Sequence, residues 1–182
     1  MLERWLRQIC PDWVARRLAD VTPDWLRAHG IRAVLLDLDN TLVAWHEMSP
    51  PPEVREWLAA LAAARMRTCL TSNTHRPQRL AAIAAALELP FEPGCAKPHP
   101  AGLRRALQRI GTAPAESALV GDQLFTDVLG GNWCGVTTVL VTPLSHREFV
   151  GTRWISRPAE RLVLRALARR GWLWPVVPSE NG

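Results

Sequence analysis

Short unbroken apolar runs alternate along this chain with longer stretches whose apolar residues recur at helical spacing. Ala33-Val34-Leu35-Leu36 is the clearest run, and its length and Val/Leu content fit a strand buried on both faces. By the same pattern, strands are read over 32–38, 67–72, 117–121 and 137–141, with a short one near 90–92. Between them, residues 53–65 place Val54, Trp57, Leu58 and Leu61 at helical spacing; 77–87 and 101–110 read as further helices, the latter stopped by Gly111. A helix starting at Leu124 reads as interrupted by Gly130-Gly131, and 157–170 reads as a closing basic helix. The first thirty residues read as two short helices, the second opened by Thr22-Pro23 and closed by Gly30. This alternation predicts an α/β fold, a doubly wound, mostly parallel, five-stranded sheet.

No repeat or low-complexity linker divides the 182 residues, so one domain over 1–182 is expected. Residues 1–30 form its helical preface and 145–182 a basic helical extension.

A parallel sheet gathers the residues at the carboxyl ends of its strands. The run at 33–36 leads into Asp37-Leu38-Asp39-Asn40-Thr41. Two carboxylates two residues apart at the end of a buried strand need partners, and a divalent cation is the obvious one. Taken alone, the pattern equally describes a turn in which Asp and Asn satisfy backbone donors. The second strand leads into Thr71-Ser72-Asn73-Thr74, and the run at 117–121 ends in Asp122, with Asp127 shortly after. Ser72 and Asp127 each read individually as a turn residue or helix cap. Their joint order along the chain is what favours a shared cleft.

Composition then singles out one more residue. Among 22 basic residues the only lysine is Lys97, and all the others are arginine. An ammonium is a compact point charge that fits beside a carboxylate, a phosphoryl group and a metal where a planar guanidinium would crowd them. The net charge is +5, and the basic excess is strong in residues 145–182, where seven arginines face Glu148, Glu160 and Glu180. Such a tail suits phosphates of nucleic acid, a lipid surface, or simply water. Tyrosine is absent and the tail's rings are mostly Trp, so a stacking platform for single strands is poorly supported and no nucleic-acid partner is expected.

Cys10, Cys69, Cys95 and Cys134 are far apart and form no CxxC pair, which indicates neither a zinc site nor a disulfide framework. A reducing, cytoplasmic setting is expected. The opening residues lack the apolar core of a signal peptide, and no run approaches the ~18 apolar residues of a spanning helix, so a soluble protein, peripheral at most, is expected.

The motifs Asp37-Leu38-Asp39-Asn40-Thr41, Ser72, Lys97 and Gly121-Asp122-Gln123-Leu124-Phe125-Thr126-Asp127, in this order, resemble the four motifs of haloacid-dehalogenase-type phosphatases. Within that superfamily, DLDNTL, TSN, AKP and VGDQLFTDVLGGN look like the YqeG-type branch of the IIIA phosphatases, relatives of phosphatidylglycerophosphate phosphatase. One departure is Thr74-His75, where the branch often has further Asn or polar residues. The resemblance implies that Asp37 attacks phosphorus and carries an aspartyl-phosphate, while Asp39 protonates the leaving oxygen and then activates water. It implies Mg²⁺ held by Asp37, the Asp39 carbonyl and Asp122. Ser72, Asn73 and Lys97 would bind the phosphoryl group, Asp127 would orient Lys97 or a water, and Thr41 would fix the loop after the nucleophile.

Spacing bears on the substrate. Members of the superfamily that engulf small metabolites carry an inserted cap, yet Thr41 to Ser72 and Ser72 to Lys97 each leave room only for loops, one helix and a strand. An open site suits a phosphomonoester displayed on something large, with a lipid such as phosphatidylglycerophosphate favoured. Peripheral contact with an anionic membrane through the Trp- and Arg-rich ends (Trp5, Trp13, Arg161, Arg165, Arg169, Arg170, Trp172, Trp174) would serve that end; the same Trp residues read equally as packing on the sheet. The alternatives are a soluble small-metabolite or phosphoprotein phosphatase, and a non-enzymatic docking module on a phosphatase fold. The pair of acids argues against the module, which has no physical need of Asp39 beside Asp37.

Overall fold

A computed structural model of the chain describes residues 2–74, 76–145, 157–172 and 175–179. Its strands are β1 (Trp13–Ala15), β2 (Ala33–Leu36), β3 (Arg67–Thr71), β4 (Phe91–Glu92), β5 (Ser117–Gly121) and β6 (Thr137–Val141). Its helices are α1 (Leu2–Gln8), α2 (Pro23–Ala28), α3 (Pro52–Ala63), α4 (Pro77–Ala86), α5 (Pro100–Ile110), α6 (Leu129–Cys134) and α7 (Arg157–Arg169). All strand pairs are parallel, in the order β1-β6-β5-β2-β3-β4. Both faces of the sheet are covered, and β2 and β5 are buried at every position, as their near-continuous apolar sequences require.

Among the described residues the sheet has six strands, where the alternation of runs predicts five. The addition is β1, from the segment read as purely helical. Three residues are too few for a periodic signal, and side-chain bonds help to fix the strand's place. The Thr138 amide donates to Asp12 Oδ2 at 2.8 Å, and the Asp12 amide donates to Thr138 Oγ1 at 3.0 Å, clipping the start of β1 to β6.

The glycine pair at 130–131 lies inside α6 and does not interrupt it. A Cβ on Gly130 would crowd the Pro98 backbone at 3.1 Å, and one on Gly131 would overlap the Thr138 side chain. Here glycine serves close approach to the Lys97–Pro98 loop and to β6, at a modest cost in helix propensity. The residues before α6, Leu124–Val128, form a π-helical turn.

Between β2 and β3 the described chain forms loop and α3, and between β3 and β4 it forms α4 and its loops. No cap stands over the carboxyl edge of the sheet among the described residues. From β2 the chain runs outward to β3 and β4 on one side, then crosses back to β5 and β6 on the other, so the crevice beyond β2 is the topological switch point.

Candidate active site

Asp37 follows β2 and Asp122 follows β5, adjacent strands in register from Ala33–Ser117 to Leu36–Val120, so their carboxyl groups meet over the switch point. Both are buried, as are Ser72, Lys97 and Asp127. The Lys97 ammonium reaches Asp37 Oδ1 at 2.7 Å, Asp127 Oδ1 at 2.7 Å and the Thr71 carbonyl at 2.8 Å. The ammonium donates hydrogen bonds to Asp37 and to the Thr71 carbonyl and forms an ion pair with Asp127, and the side chain is 1% exposed. This explains why lysine stands here in a chain otherwise committed to arginine.

The electrostatics follow from that burial. Desolvation pushes the Asp37 carboxyl up from its ordinary 3.8 to about 7, with Lys97 opposing and Asp127 reinforcing the rise. Burial pulls Lys97 the other way, but Asp127 and Asp37 overcome it and hold the ammonium above the usual lysine range. Asp37 Oδ2 has no hydrogen-bond partner, although it is fully buried. Asp37, Asp122 and Asp127 each offer a carboxylate oxygen within 4.8 Å of the others. A buried orphan oxygen inside a cluster of three hard anionic donors fits a divalent cation of the Mg²⁺ or Ca²⁺ type. The cysteines offer no competing chemistry, since burial pushes the Cys69 thiol up to about 12 and Cys95 to about 11.

The cluster adds Asp127 to the two side chains expected to hold a metal, Asp37 and Asp122. Asp39, expected to contribute its backbone carbonyl, is half-buried, and its carboxylate accepts from Arg79 Nη1 at 2.7 Å. The two acids of the first motif therefore occupy different environments, one against an ammonium and the other against a guanidinium. Asp127 takes the third corner of the cluster while also holding Lys97, and its Oδ2 accepts from the Gln123 amide at 3.1 Å.

Supporting groups fall into place around these acids. Thr41 Oγ1 donates to Asp122 Oδ1 at 3.2 Å, tying the loop after Asp37 to the second strand end. Ser72 Oγ accepts from the Thr74 amide at 3.1 Å, which leaves its hydroxyl proton available. The Asn73 side chain grips the Lys97 backbone from both sides: its Nδ2 donates to the Lys97 carbonyl at 2.6 Å, and its Oδ1 accepts from the Lys97 amide at 2.7 Å. That tether between two loops is a role the sequence reading did not assign to it. A Cβ at Gly121 would overlap the Asp127 carboxylate. Gly121→Ala should therefore displace Asp127, lowering stability by about 1–3 kcal/mol and activity with it; a Tm and rate equal to wild type would show that Asp127 is not held against this glycine.

Sequence reasoning missed Arg79, Arg76, His46 and Glu160. Arg79 also donates through Nε and Nη2 to the Glu47 carbonyl, at 3.1 and 2.7 Å, binding the 44–47 loop to α4. The available signal was its position, in the first turn of the helix that follows Ser72-Asn73. Glu160, buried in the otherwise basic α7, accepts from the Leu124 amide at 3.0 Å at the start of the π-helical turn that carries Asp127. A cavity of about 430 Å³ opens over Asp37, Asp39, Ser72 and Lys97 and extends to Trp45, His46, Arg76 and Arg79.

A model of the haloacid dehalogenase-like hydrolase family matches residues 5–135. The chain belongs to the haloacid dehalogenase-like hydrolases. It is 32% identical over 161 residues to a probable phosphatase, YqeG, of Bacillus subtilis, with 88% of this chain and 92% of that protein covered. It is also 32% identical to the chloroplastic/mitochondrial phosphatidylglycerophosphate phosphatase 1 of Arabidopsis thaliana, over 82% of this chain but 44% of that longer protein. Among solved structures, the cobalt-bound deoxy-D-mannose-octulosonate 8-phosphate phosphatase of Haemophilus influenzae shares the fold, with a TM-score of 0.51 at 17% identity over 79% of this chain and 91% of that one. Within the family, the chain is a phosphatase of the YqeG-like branch.

Proposed function

We propose that this hydrolase cleaves phosphomonoesters through an aspartyl-phosphate on Asp37 and requires Mg²⁺. The observation that carries this reading is the Asp37 carboxylate itself, on a residue that lines the cavity, with Oδ1 pinned by Lys97 and Oδ2 buried without a hydrogen-bond partner. Asp37, Asp122 and Asp127, with the Asp39 carbonyl, would hold Mg²⁺, which offsets repulsion between the acids and the phosphate and polarises the phosphoryl group. Asp37 attacks phosphorus in line, and Asp39 gives a proton to the departing alcohol oxygen. Asp39 then takes a proton from water as that water attacks the phosphoaspartate. The Ser72 hydroxyl and Lys97 steady the phosphoryl oxygens, Asp127 keeps Lys97 charged, and Asn73 fixes the Lys97 loop beneath them.

Hydrolysis of p-nitrophenyl phosphate with added Mg²⁺, and its loss on chelation with EDTA, is the direct test. Full activity after exhaustive chelation, or a strict Zn²⁺ requirement, would count against the site. Calorimetry adds a check that needs no turnover. The folded chain holds the Asp37 proton more tightly than the unfolded chain does, so metal-free stability should fall as pH rises from about 4 to about 7. Mg²⁺ competes with that proton. The gain in Tm on adding Mg²⁺ should therefore grow across the same window, and a gain independent of pH would remove Asp37 from the ligand set.

The open edge favours a large or lipid substrate such as phosphatidylglycerophosphate, and the Arabidopsis relative's name supports that choice. Among the described residues no helix is long and apolar enough to cross a membrane, and the contact proposed is a peripheral one through the ends of the chain. Leu6, Ile9 and Leu167 pack in a buried cluster, and Trp13 stacks edge-on against Trp25 at 5.1 Å, so part of the terminal apolar set serves packing. Trp172 lies under the Arg7 guanidinium at 4.6 Å, and Trp174 lies outside the described residues. Trp5, Arg161, Leu162, Arg165 and Arg169 remain exposed. Each such Arg near an anionic surface adds about 1 kcal/mol of attraction. Flotation with anionic liposomes should show binding that weakens with salt and falls in an Arg161/Arg165/Arg169→Gln variant; equal binding to neutral vesicles would remove the membrane from the account.

A further inference from the structure

The cavity continues beyond the reacting acids to a rim of different chemistry. Arg76 stands at the head of α4 and donates through Nη1 to His46 Nδ1 at 2.9 Å. A guanidinium has no acceptor, so the His46 ring proton lies on Nε2, which makes this cavity-lining residue a second donor. The Trp45 and His46 rings lie with centroids 3.6 Å apart, and His46 holds φ at 72°, a left-handed conformation costly for a residue with a Cβ. Two neighbours keep the loop there: the Trp45 amide donates to Asn40 Oδ1 at 3.1 Å, and Arg79 clamps the Glu47 carbonyl. Arg79 already has a carboxylate, Asp39. Arg76 is exposed, lines the same cavity, and pairs with no carboxylate among the described residues.

The position of this rim relative to Asp39 gives it a meaning. Asp39 is the acid that meets the leaving oxygen, and Arg79 joins it to the side of the cavity where Arg76, His46 and Trp45 stand. Whatever is attached to the leaving oxygen therefore passes beside a guanidinium with no carboxylate partner among the described residues, an imidazole and an indole. A neutral alcohol leaves the Arg76 charge without a counter-ion there. An alcohol bearing its own anion supplies one, and a guanidinium fork suits a phosphate or carboxylate.

We infer that Arg76 and His46, backed by Trp45, form a second anion subsite, so that this enzyme selects phosphomonoesters whose leaving alcohol carries another phosphate or carboxylate. The inference rests on the phosphatase reading of the same site. Two matched pairs of substrates test it: short-chain phosphatidylglycerophosphate against short-chain phosphatidic acid, and 3-phosphoglycerate against glycerol 3-phosphate. Within each pair the leaving alcohol differs by one anion, carried by a lipid phosphodiester in the first and by a soluble carboxylate in the second. In at least one pair kcat/KM should favour the anionic member by about ten- to a hundredfold, the range of a charge-assisted hydrogen bond, and that pair identifies the source of the anion. Arg76→Gln should bring the preference to within about threefold of unity, a ratio that general damage to the fold would not change. No preference in either pair, or a preference undiminished in Arg76→Gln, overturns the subsite while leaving the phosphatase standing. A wild-type enzyme that fails on p-nitrophenyl phosphate as well overturns both.

Discussion

Asp37→Asn should abolish turnover, lowering kcat by about 10³-fold or more, while the protein stays folded. The change is nearly isosteric, so packing around β2 is kept. On the proposed mechanism it removes the attacking oxygen, and with it one corner of the Asp37-Asp122-Asp127 cluster. It also removes a carboxyl that burial already disfavours as an ion. The thermal transition without metal should therefore survive at pH 8, whereas the Mg²⁺-dependent rise in Tm should shrink. Steady-state activity like that of wild type would sink the assigned chemistry. Unfolding of the variant would show instead that the Asp37–Lys97 contact holds up the fold.

Lys97→Arg should fail almost as badly, despite keeping the charge. The ammonium makes three contacts of 2.7–2.8 Å in a pocket that leaves the side chain 1% exposed. A guanidinium is broader and fixed in a plane, so either Asp37 or Asp127 must move, with an overpacking cost of about 1–3 kcal/mol. The expected loss in kcat/KM is about 10²-fold or more, accompanied by a lower Tm. If the arginine variant keeps most of its kcat/KM, the single lysine of this chain has no geometric meaning.

Much of the site was legible because its residues follow strands whose pattern is strong. The run at 33–36, the turn into Asp122 and the lone lysine could each be read from the chain, and the parallel order β5-β2-β3-β4 brings them to one edge. What escaped was set by tertiary contact. The strand β1 is only three residues long and is seated by Asp12 and Thr138, 126 positions apart. Gly130 and Gly131 read as breakers by propensity, whereas their lack of a Cβ lets α6 approach Pro98 and β6. Arg79 looked like any solvated arginine on a helix, and only the fold sets it on Asp39, 40 residues away. Asn73 was legible as a site residue, but its grip on the Lys97 backbone depends on two loops meeting in space.

The most direct test of the central claim uses Asp39→Asn with p-nitrophenyl phosphate and Mg²⁺. Nitrophenolate leaves without help from an acid, but hydrolysis of the phosphoaspartate still lacks its base. Rapid acid quench should therefore show a burst of nitrophenol approaching one equivalent, with a phosphoryl group on the peptide containing Asp37. A burst without label on Asp37, or label on another residue, would contradict the account.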